Sequence, residues 1–450
     1  MGATAALAQH VATFPLDRYP GDLVAQAKEL IFDFFGVAVA GARTETGRLA
    51  AAVEGRLSAP GRAAVIGRQL RLAAPGAAYI NAVAAHSLEL DDVDPLALLH
   101  VHPVVVSAVL AVAEEGGASG RELLAGVLAG WEVMIRISNA ANPWLRDRGF
   151  HSTPACGVYG AAAGAARVLG LSAEQTVSAL GLASAHGVGL MEMYGPSMQK
   201  RINPAPAAAG GVRAALLAQA GFTGAGTILE GERGFLRAAS GAADPSPLTD
   251  GLGRTFPMAA EFKRYACARP IHTACDAARQ IRAQMGTVDP AAVAAIQVDR
   301  HPAWAAYHLN PAPANYHEAQ MSLPYSVAVA LVEGDAFLPQ YSNEQVRRPE
   351  LQALARRVQV HADPALPTTV GCRITLTTTD GRQYAAQVDY PSGSRQNPMT
   401  LRDLLDKAVR LSPDCKRPLE RLAALVERLE DVPSVTELTQ LVSEGMGEQH

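Results

Sequence analysis

Histidines and carboxylates are concentrated in one short segment of the chain, where they could transfer protons. The segment holds His86, Glu89, Asp91, Asp92, His100 and His102. A positioned pair of such groups can serve as general acid and general base, whereas His-x-His with a nearby carboxylate could bind a metal ion. Because no further set of spaced ligands follows in the sequence, proton transfer is favoured and no metal is expected. A solvated turn between two helices is the purely structural alternative.

Two further segments place polar side chains directly before a helix rich in Ala and Gly. His151 and Thr153 precede one such helix, predicted over 156–171, and Lys200 and Arg201 precede another. A helix start offers free N–H groups and a favourable dipole to an anion, and a Lys-Arg pair can hold a carboxylate or a phosphate. These segments therefore predict an anion site, although ordinary N-capping would explain the first of them equally well.

The turn that contains the Lys-Arg pair begins at Gly195 and allows a different chemistry. Ser197 and Lys200 match a Ser-x-x-Lys pattern, in which the lysine makes the serine easier to deprotonate. The further short motifs that accompany this pattern in hydrolases are absent from the sequence. A Ser/Lys amidohydrolase therefore stays an alternative, as does a non-catalytic helical scaffold.

A fourth segment leads into a helix predicted over 276–285 and is again rich in cations. It contains Lys263, Arg264, Arg269 and His272. Cys267 lies among them, and a buried thiol is a better interpretation of it than a nucleophile, which would need a base beside it. Nucleotide-binding glycine motifs are absent from the sequence. Together the four segments favour a di- or tricarboxylic acid as substrate, because proton abstraction next to a carboxylate needs cations and a positioned base.

The composition indicates a globular protein rather than a nucleic-acid or membrane partner. The chain has 450 residues, 39 Lys plus Arg against 43 Asp plus Glu, and 49 % hydrophobic residues. This balance excludes long disorder and provides no basic excess for nucleic acid or an anionic membrane. Five scattered cysteines without a C-x-x-C spacing indicate neither a disulfide framework nor a zinc site, and we expect a cytoplasmic protein.

Helical periodicity dominates the first part of the chain. Capping boxes at Ser119 and Ser172 each precede apolar residues at helical spacing. The pattern predicts an all-helical domain over 1–256, completed by C-terminal helices over 398–450.

The sequence pattern changes from helical periodicity to short strands after about Pro257. Strands are predicted over 294–300 and 357–361, and a β-hairpin over 373–390 turns at Asp380-Gly381. A smaller α/β domain over 257–397 is therefore expected, and the fold class is mainly α with a smaller α+β domain.

The order of the chemical segments resembles the MmgE/PrpD family along most of the chain. Six blocks carry the resemblance, at 81–92, 102–103, 150–171, 200–224, 262–272 and 318–325. The resemblance implies a large all-helical domain with a smaller α/β lid domain, a homodimer, and no cofactor. It implies catalytic roles for Asp91, His102, His151, Lys200 and His272. By the same resemblance, the substrate would be bound by Asp92, Arg201, Lys263 and Tyr325.

The activity that this resemblance implies is that of a lyase acting on a citrate-like carboxylic acid. A 2-methylcitrate dehydratase-like hydro-lyase is the leading expectation, with a cis-aconitate-type decarboxylase or an epimerase of an iminodisuccinate-like acid as alternatives. The sequence departs from the family pattern where substrate choice would be set. Glu89 replaces the usual Asp, Val93 replaces Thr, and Asn203 and Ala205 replace His and Gly.

Overall fold

The computed structural model describes residues 1–193, 197–242 and 244–444, so Gly195 lies outside the described residues. The first part of the chain folds into helices. They are α1 (Ala3–Thr13), α2 (Gly21–Gly41), α3 (Glu45–Leu57), α4 (Ala74–His86), α5 (Val105–Gly116), α6 (Gly120–Ala141), α7 (Trp144–Asp147), α8 (Ser152–Val168), α9 (Ala173–Ala183), α10 (Gln199–Ile202), α11 (Pro204–Gln219) and α12 (Ser246–Thr249).

Side-chain caps start two of these helices where the sequence predicts them. Ser119 accepts from the backbone N–H of Glu122 before α6, and Ser172 accepts from that of Gln175 before α9; in both cases the reciprocal half of the box is present. Each box satisfies two N–H groups that a helix start leaves without a partner. The helix predicted over 156–171 begins earlier, at Ser152.

One feature of this part departs from an all-helical domain. Strands β1 (Pro60–Ala64) and β2 (Arg71–Leu72) form a short antiparallel ribbon. The all-helical prediction is wrong here because strands this short carry too little alternation to be recognised from sequence.

Helices α6 and α8 cross at unusually short range. A Cβ on Gly130 would lie 2.6 Å from the carbonyl oxygen of Gly160, and one on Gly164 would lie 2.8 Å from that of Gly126. The Ala/Gly composition of the first part is thus a packing requirement. Among the described helices, α6 alone is long and apolar enough to cross a membrane, but 89 % of its apolar stretch is buried inside the protein. We therefore assign α6 to the hydrophobic core.

The second part of the chain is built on a four-stranded mixed sheet. Its strands are β3 (Val293–Arg300), β4 (Val358–Ala362), β5 (Cys372–Thr378) and β6 (Gln383–Val388). They lie in the order β4-β3-β5-β6, with β3 and β4 parallel and the other pairs antiparallel. The predicted hairpin is confirmed, and Gly381 adopts a φ of 84° at its turn, a conformation that glycine tolerates best.

Helices surround this sheet and then return to the first part. The former are α13 (His272–Met285), α14 (Pro302–Ala305), α15 (Tyr316–Ala319), α16 (Leu323–Glu333), α17 (Asn343–Val346) and α18 (Pro349–Ala355). Beyond the sheet follow α19 (Leu401–Leu411), α20 (Lys416–Glu427) and α21 (Thr436–Glu444). Helix α19 packs against α2, and the apolar side chains of these last three helices, apart from Leu411 at the end of α19, belong to or pack against the core of the first part.

The described residues form two hydrophobic cores, which meet along α2, at Val37 and Ala40, and at the segment after α4. The first core takes its residues from both ends of the chain, and the second is centred on the mixed sheet. Leu88 and Leu90, which directly follow α4, are buried in the second core. The residues between α4 and α5 therefore lie where the two cores join, and Glu89 lies between the two leucines.

The crossing of α6 and α8 provides a test of the packing. Gly130→Ala should lower the free energy of unfolding by about 1–3 kcal/mol, because the added methyl group overlaps the Gly160 carbonyl. Urea denaturation followed by circular dichroism measures the change. Gly116→Ala is the control, since a Cβ there meets nothing within 4 Å. Equal stability of the two variants would contradict the close crossing.

Candidate active site

Glu89 is the centre of a buried ionic cluster. Its Oε1 atom accepts from both Lys200 and Arg201, and its Oε2 atom lies 3.1 Å from Nζ of Lys263. All four side chains are nearly inaccessible to solvent. Glu89 also has a φ of 57°, an uncommon value for a residue other than glycine and a form of backbone strain that is concentrated at functional sites.

The three cations come from two distant segments that the fold brings to one carboxylate. Lys200 and Arg201 lie on the short helix α10, and Lys263 lies between the two cores. Burial, together with the charges of Lys263 and Arg201, lowers the pKa of the Lys200 ammonium well below its ordinary value. Lys200 therefore gives up its proton more readily than an exposed lysine.

Asp91 joins this cluster to two imidazoles. Its Oδ1 atom lies 3.3 Å from Nζ of Lys263, and its Oδ2 atom lies 2.6 Å from Nδ1 of His86 and 3.0 Å from Nδ1 of His100. Burial alone would raise the pKa of Asp91, but Lys263 and the two histidines hold it well below its usual range. Asp91 is therefore a carboxylate that orients both rings.

His86 is held as a neutral imidazole with a definite orientation. Burial lowers the pKa of His86 well below its ordinary value, despite the opposing charge of Asp91. With the Nδ1 proton directed to Asp91, Nε2 carries a lone pair, and this buried atom has no hydrogen-bond partner among the described residues. A carboxylate that orients an imidazole is the arrangement used to position a general base.

His86, Asp91 and His100 also form a group that could hold a metal ion. One donor atom from each lies within 4.8 Å of the other two. A 2-His-1-carboxylate set is a known ligand combination for Zn²⁺ or Fe²⁺. Here, however, the donor atoms already bind one another through protons, and Asp91 also pairs with Lys263. A metal ion would have to replace those protons beside a buried ammonium group.

His151 lies near these rings, with its ring centroid 6.5 Å from that of His100. The amide nitrogen of Asn203 lies 3.2 Å from Nδ1 of His151. Burial lowers the pKa of His151 well below its ordinary value. When the Asn203 amide donates to Nδ1, the proton of the neutral ring lies on Nε2. Asn203, one of the departures from the family pattern, thus selects the tautomer of His151.

Asp92 and His102 hold the loop instead of facing the ionic cluster. The two oxygens of Asp92 accept from the backbone N–H groups of Val101 and His102, at 2.8 and 2.9 Å. The backbone N–H of Asp92 donates to Nε2 of His102 at 3.2 Å. Both oxygens of Asp92 are thus engaged in closing the turn, which does not favour its predicted substrate-binding role. The buried Nδ1 atom of His102 has no hydrogen-bond partner among the described residues, so the catalytic role of His102 stays a prediction.

His272 and Tyr325 are placed in the second core, away from Glu89. The Nε2 atom of His272 lies 3.3 Å from the carbonyl oxygen of Cys267, and the hydroxyl group of Tyr325 donates to that of Gln340 at 2.6 Å. Both side chains are fully buried. The contacts of the described residues thus do not bring these two predicted site residues to the cluster.

The other reactive residues that the sequence motifs suggested do not contact Glu89, except for Lys200. Cys267 is a buried thiol in the second core, and Arg269 pairs with Glu261. The Ser197 side chain is exposed and accepts from the backbone N–H of Gln199, whereas Lys200 is buried on Glu89. These contacts engage Lys200 with Glu89 and do not favour the Ser/Lys hydrolase alternative.

Gln320 and Lys407, which were not among the predicted site residues, hold the backbone on each side of Glu89. The amide nitrogen of Gln320 donates to the carbonyl oxygens of Leu88 and Ala266, and its Oε1 atom accepts from Arg201 at 2.9 Å. Lys407 donates to the carbonyl oxygen of Leu90 at 2.6 Å. Gln320 lies within a family-like block and could have been found; Lys407 resembles any lysine of an amphipathic helix.

Lys407 also completes a second buried ion pair. Its Nζ atom lies 2.7 Å from Oδ1 of Asp33 on α2, and Oδ2 of Asp33 lies 3.5 Å from Nε2 of His102. The C-terminal helices thereby reach the site loop through α19. Gln320 reaches the same loop from the second part of the chain.

The fold and site together define a mainly α protein with a smaller α+β unit and a buried acid–base site between two cores. The chain belongs to the MmgE/PrpD family. The model of the MmgE/PrpD N-terminal domain matches residues 5–248, and that of the C-terminal domain matches residues 265–431.

Relatives from this family carry the name cis-aconitate decarboxylase. The protein from Mus musculus is 28 % identical over 436 residues, which cover 93 % of this chain and 89 % of the relative. A relative from Aspergillus terreus is 29 % identical over 478 residues, which cover 97 % and 96 %. The Homo sapiens protein is 28 % identical over 441 residues, which cover 93 % and 90 %. These names match the decarboxylase alternative better than the 2-methylcitrate dehydratase expectation.

The Asp33–Lys407 pair can be tested for its hold on the site loop. Lys407→Met should lower the free energy of unfolding by about 3–5 kcal/mol, because it leaves the buried Asp33 carboxylate without its cation. Adding Asp33→Asn should recover part of the loss. Urea denaturation of both single variants and the double variant gives the free energies of unfolding for a double-mutant cycle. Strictly additive losses would show that the two side chains do not act as a pair.

Proposed function

We propose that this chain is a lyase that removes CO₂ from an unsaturated polycarboxylic acid of the cis-aconitate type. The observation that carries the proposal is the buried cluster in which Lys200, Arg201 and Lys263 converge beside oriented imidazoles. Such cations can bind several carboxylates of one small molecule. The decarboxylase names of the relatives support the same choice among the activities expected for the family.

The reaction needs charge stabilisation and one proton. In cis-aconitate the carboxylate on the methylene carbon leaves as CO₂, and the electron pair of the broken C–C bond enters the neighbouring alkene. Negative charge then spreads to the far alkene carbon, which takes up one proton and completes a new terminal alkene. Cations fixed around the remaining carboxylates stabilise this developing charge without having to reorganise.

The residues of the site divide these tasks. Lys200, Arg201 and Lys263 hold carboxylates, and their burial strengthens each interaction relative to water. His151, with its proton on Nε2, supplies the proton to carbon, because it lies beside the cluster and its neutral ring presents an N–H group. A general acid of this kind contributes roughly 10²- to 10⁴-fold to the rate. The proton given to carbon stays in the product, and water returns a proton to Nε2 of His151 before the next turnover. Asp91 keeps the His86 ring oriented at the site, and neither residue takes a proton from the substrate.

The proposed reaction is distinguished from its alternatives by NMR in D₂O. With cis-aconitate or glutaconate, its analogue with two carboxylates, we expect CO₂, new terminal-alkene signals and one deuterium on the former alkene carbon. With 2-methylcitrate we expect no change. Loss of water from 2-methylcitrate without CO₂ would establish a dehydratase instead. Exchange of the α-proton of an iminodicarboxylate alone would indicate an epimerase.

Lys200 provides the test of the site. Lys200→Met should lower kcat/KM for CO₂ release by at least about 10²-fold, because the substrate loses a buried carboxylate ligand. Its Tm should stay close to that of the parent chain. Lys416→Met, at an exposed lysine, is the matched control and should keep full activity. Full turnover by the Lys200 variant would refute the site assignment.

A further inference from the structure

Glu89 stands where a substrate carboxylate would be expected to bind. Its two oxygens receive three buried cations, which is the environment that the proposed function reserves for the substrate. We propose that Glu89 is a fixed internal carboxylate that fills one carboxylate position of the cation cluster, so that the enzyme prefers dicarboxylic to tricarboxylic acids. The inference rests on the proposed function, since it concerns the substrate of that same site.

The backbone around Glu89 prevents the carboxylate from leaving easily. Leu88 and Leu90 are buried in the second core. Gln320 holds the carbonyl oxygen of Leu88, and Lys407 holds that of Leu90. Moving Glu89 out would break these contacts and leave its charge buried without cations, which is strongly unfavourable. A substrate must therefore share the cations with Glu89 instead of displacing it.

Sharing is feasible because the cations carry several donors. An ammonium group has three N–H donors. Lys200 contacts Glu89, and Lys263 contacts Glu89 and Asp91, so each lysine can still donate to a substrate carboxylate. The number of N–H donors thus allows a ternary arrangement of substrate, cations and Glu89.

The charge balance then limits how many carboxylates the pocket stabilises. Lys200, Arg201 and Lys263 bring at most three positive charges, because the pKa of the Lys200 ammonium is lowered, and Glu89 and Asp91 bring two negative charges. At most one positive charge is therefore left in the cluster. A third substrate carboxylate would lie close to Glu89 in a poorly screened environment. The longer Glu side chain, in place of the usual Asp of the family pattern, is the feature of this chain that sets the limit.

Binding of saturated acids tests the inference without any turnover. Glutarate has two carboxylates and tricarballylate has three, and neither contains the alkene that decarboxylation requires. Calorimetric titration of the parent chain should give glutarate an affinity at least about tenfold higher than tricarballylate, because only the third carboxylate meets Glu89. Equal affinities, or a preference for tricarballylate, would overturn the proposal even if no variant were made.

Substitution of Glu89 provides the decisive comparison. Glu89→Gln should raise the affinity for tricarballylate relative to glutarate by at least about tenfold, because the repulsive charge is removed. Glu89→Asp, which keeps the charge but shortens the side chain to that of the usual Asp, should raise the ratio by less than Glu89→Gln does. Glu420→Gln, at an exposed carboxylate, should leave the ratio unchanged. An unchanged ratio in Glu89→Gln would show that Glu89 only fixes the cations.

The outcome is separable from that of the proposed function. Selective binding of dicarboxylates without CO₂ release from cis-aconitate or glutaconate would refute the decarboxylase and leave the role of Glu89 standing. CO₂ release with no effect of Glu89→Gln on selectivity would support the decarboxylase and refute the role of Glu89.

Discussion

A carboxylate buried among three cations is the interaction on which the site depends. Charges such as those of Glu89, Lys200 and Lys263 are costly to remove from water, and only close mutual pairing offsets that cost. The chain must therefore bring the segment after α4, the short helix α10 and the junction between the two cores to one point. Any fold that separated these segments would leave unpaired buried charges. The electrostatic requirement thus couples the chemistry of the site to the packing of the whole chain.

The loop that carries Glu89 is supported from both parts of the molecule. Gln320 binds it from the second part, and Lys407 binds it from a C-terminal helix that packs against α2. Within the loop, Asp92 closes the turn through backbone N–H groups. These are positioning interactions, and they explain why some polar residues of the loop bind its backbone instead of the ionic cluster. Preorganisation of this kind is what makes buried charges effective in catalysis.

Local features were predictable from the sequence, but the direction in which each side chain points was not. Capping boxes, the hairpin at Asp380-Gly381 and the change from helices to strands follow from patterns within a few residues of one another. Motif positions selected Lys200 and Lys263, and the structure brings both lysines to the same carboxylate. They did not distinguish Asp91, which faces the cluster, from Asp92, which faces the loop backbone. Neighbouring residues of the same type can point to opposite sides, and motif matching does not record direction.

The amino-acid sequence by itself determined the family, the succession of a helical part, a sheet part and C-terminal helices, and the identity of the cations. Only the tertiary structure decided that Glu89 receives those cations and that Lys407 secures the loop. Glu89 pairs with partners 111, 112 and 174 positions away. Periodicity and capping act within a few turns of chain, whereas contacts at such separations are set by how two hydrophobic cores pack together. The charge pattern of the pocket therefore becomes visible only after those cores have met.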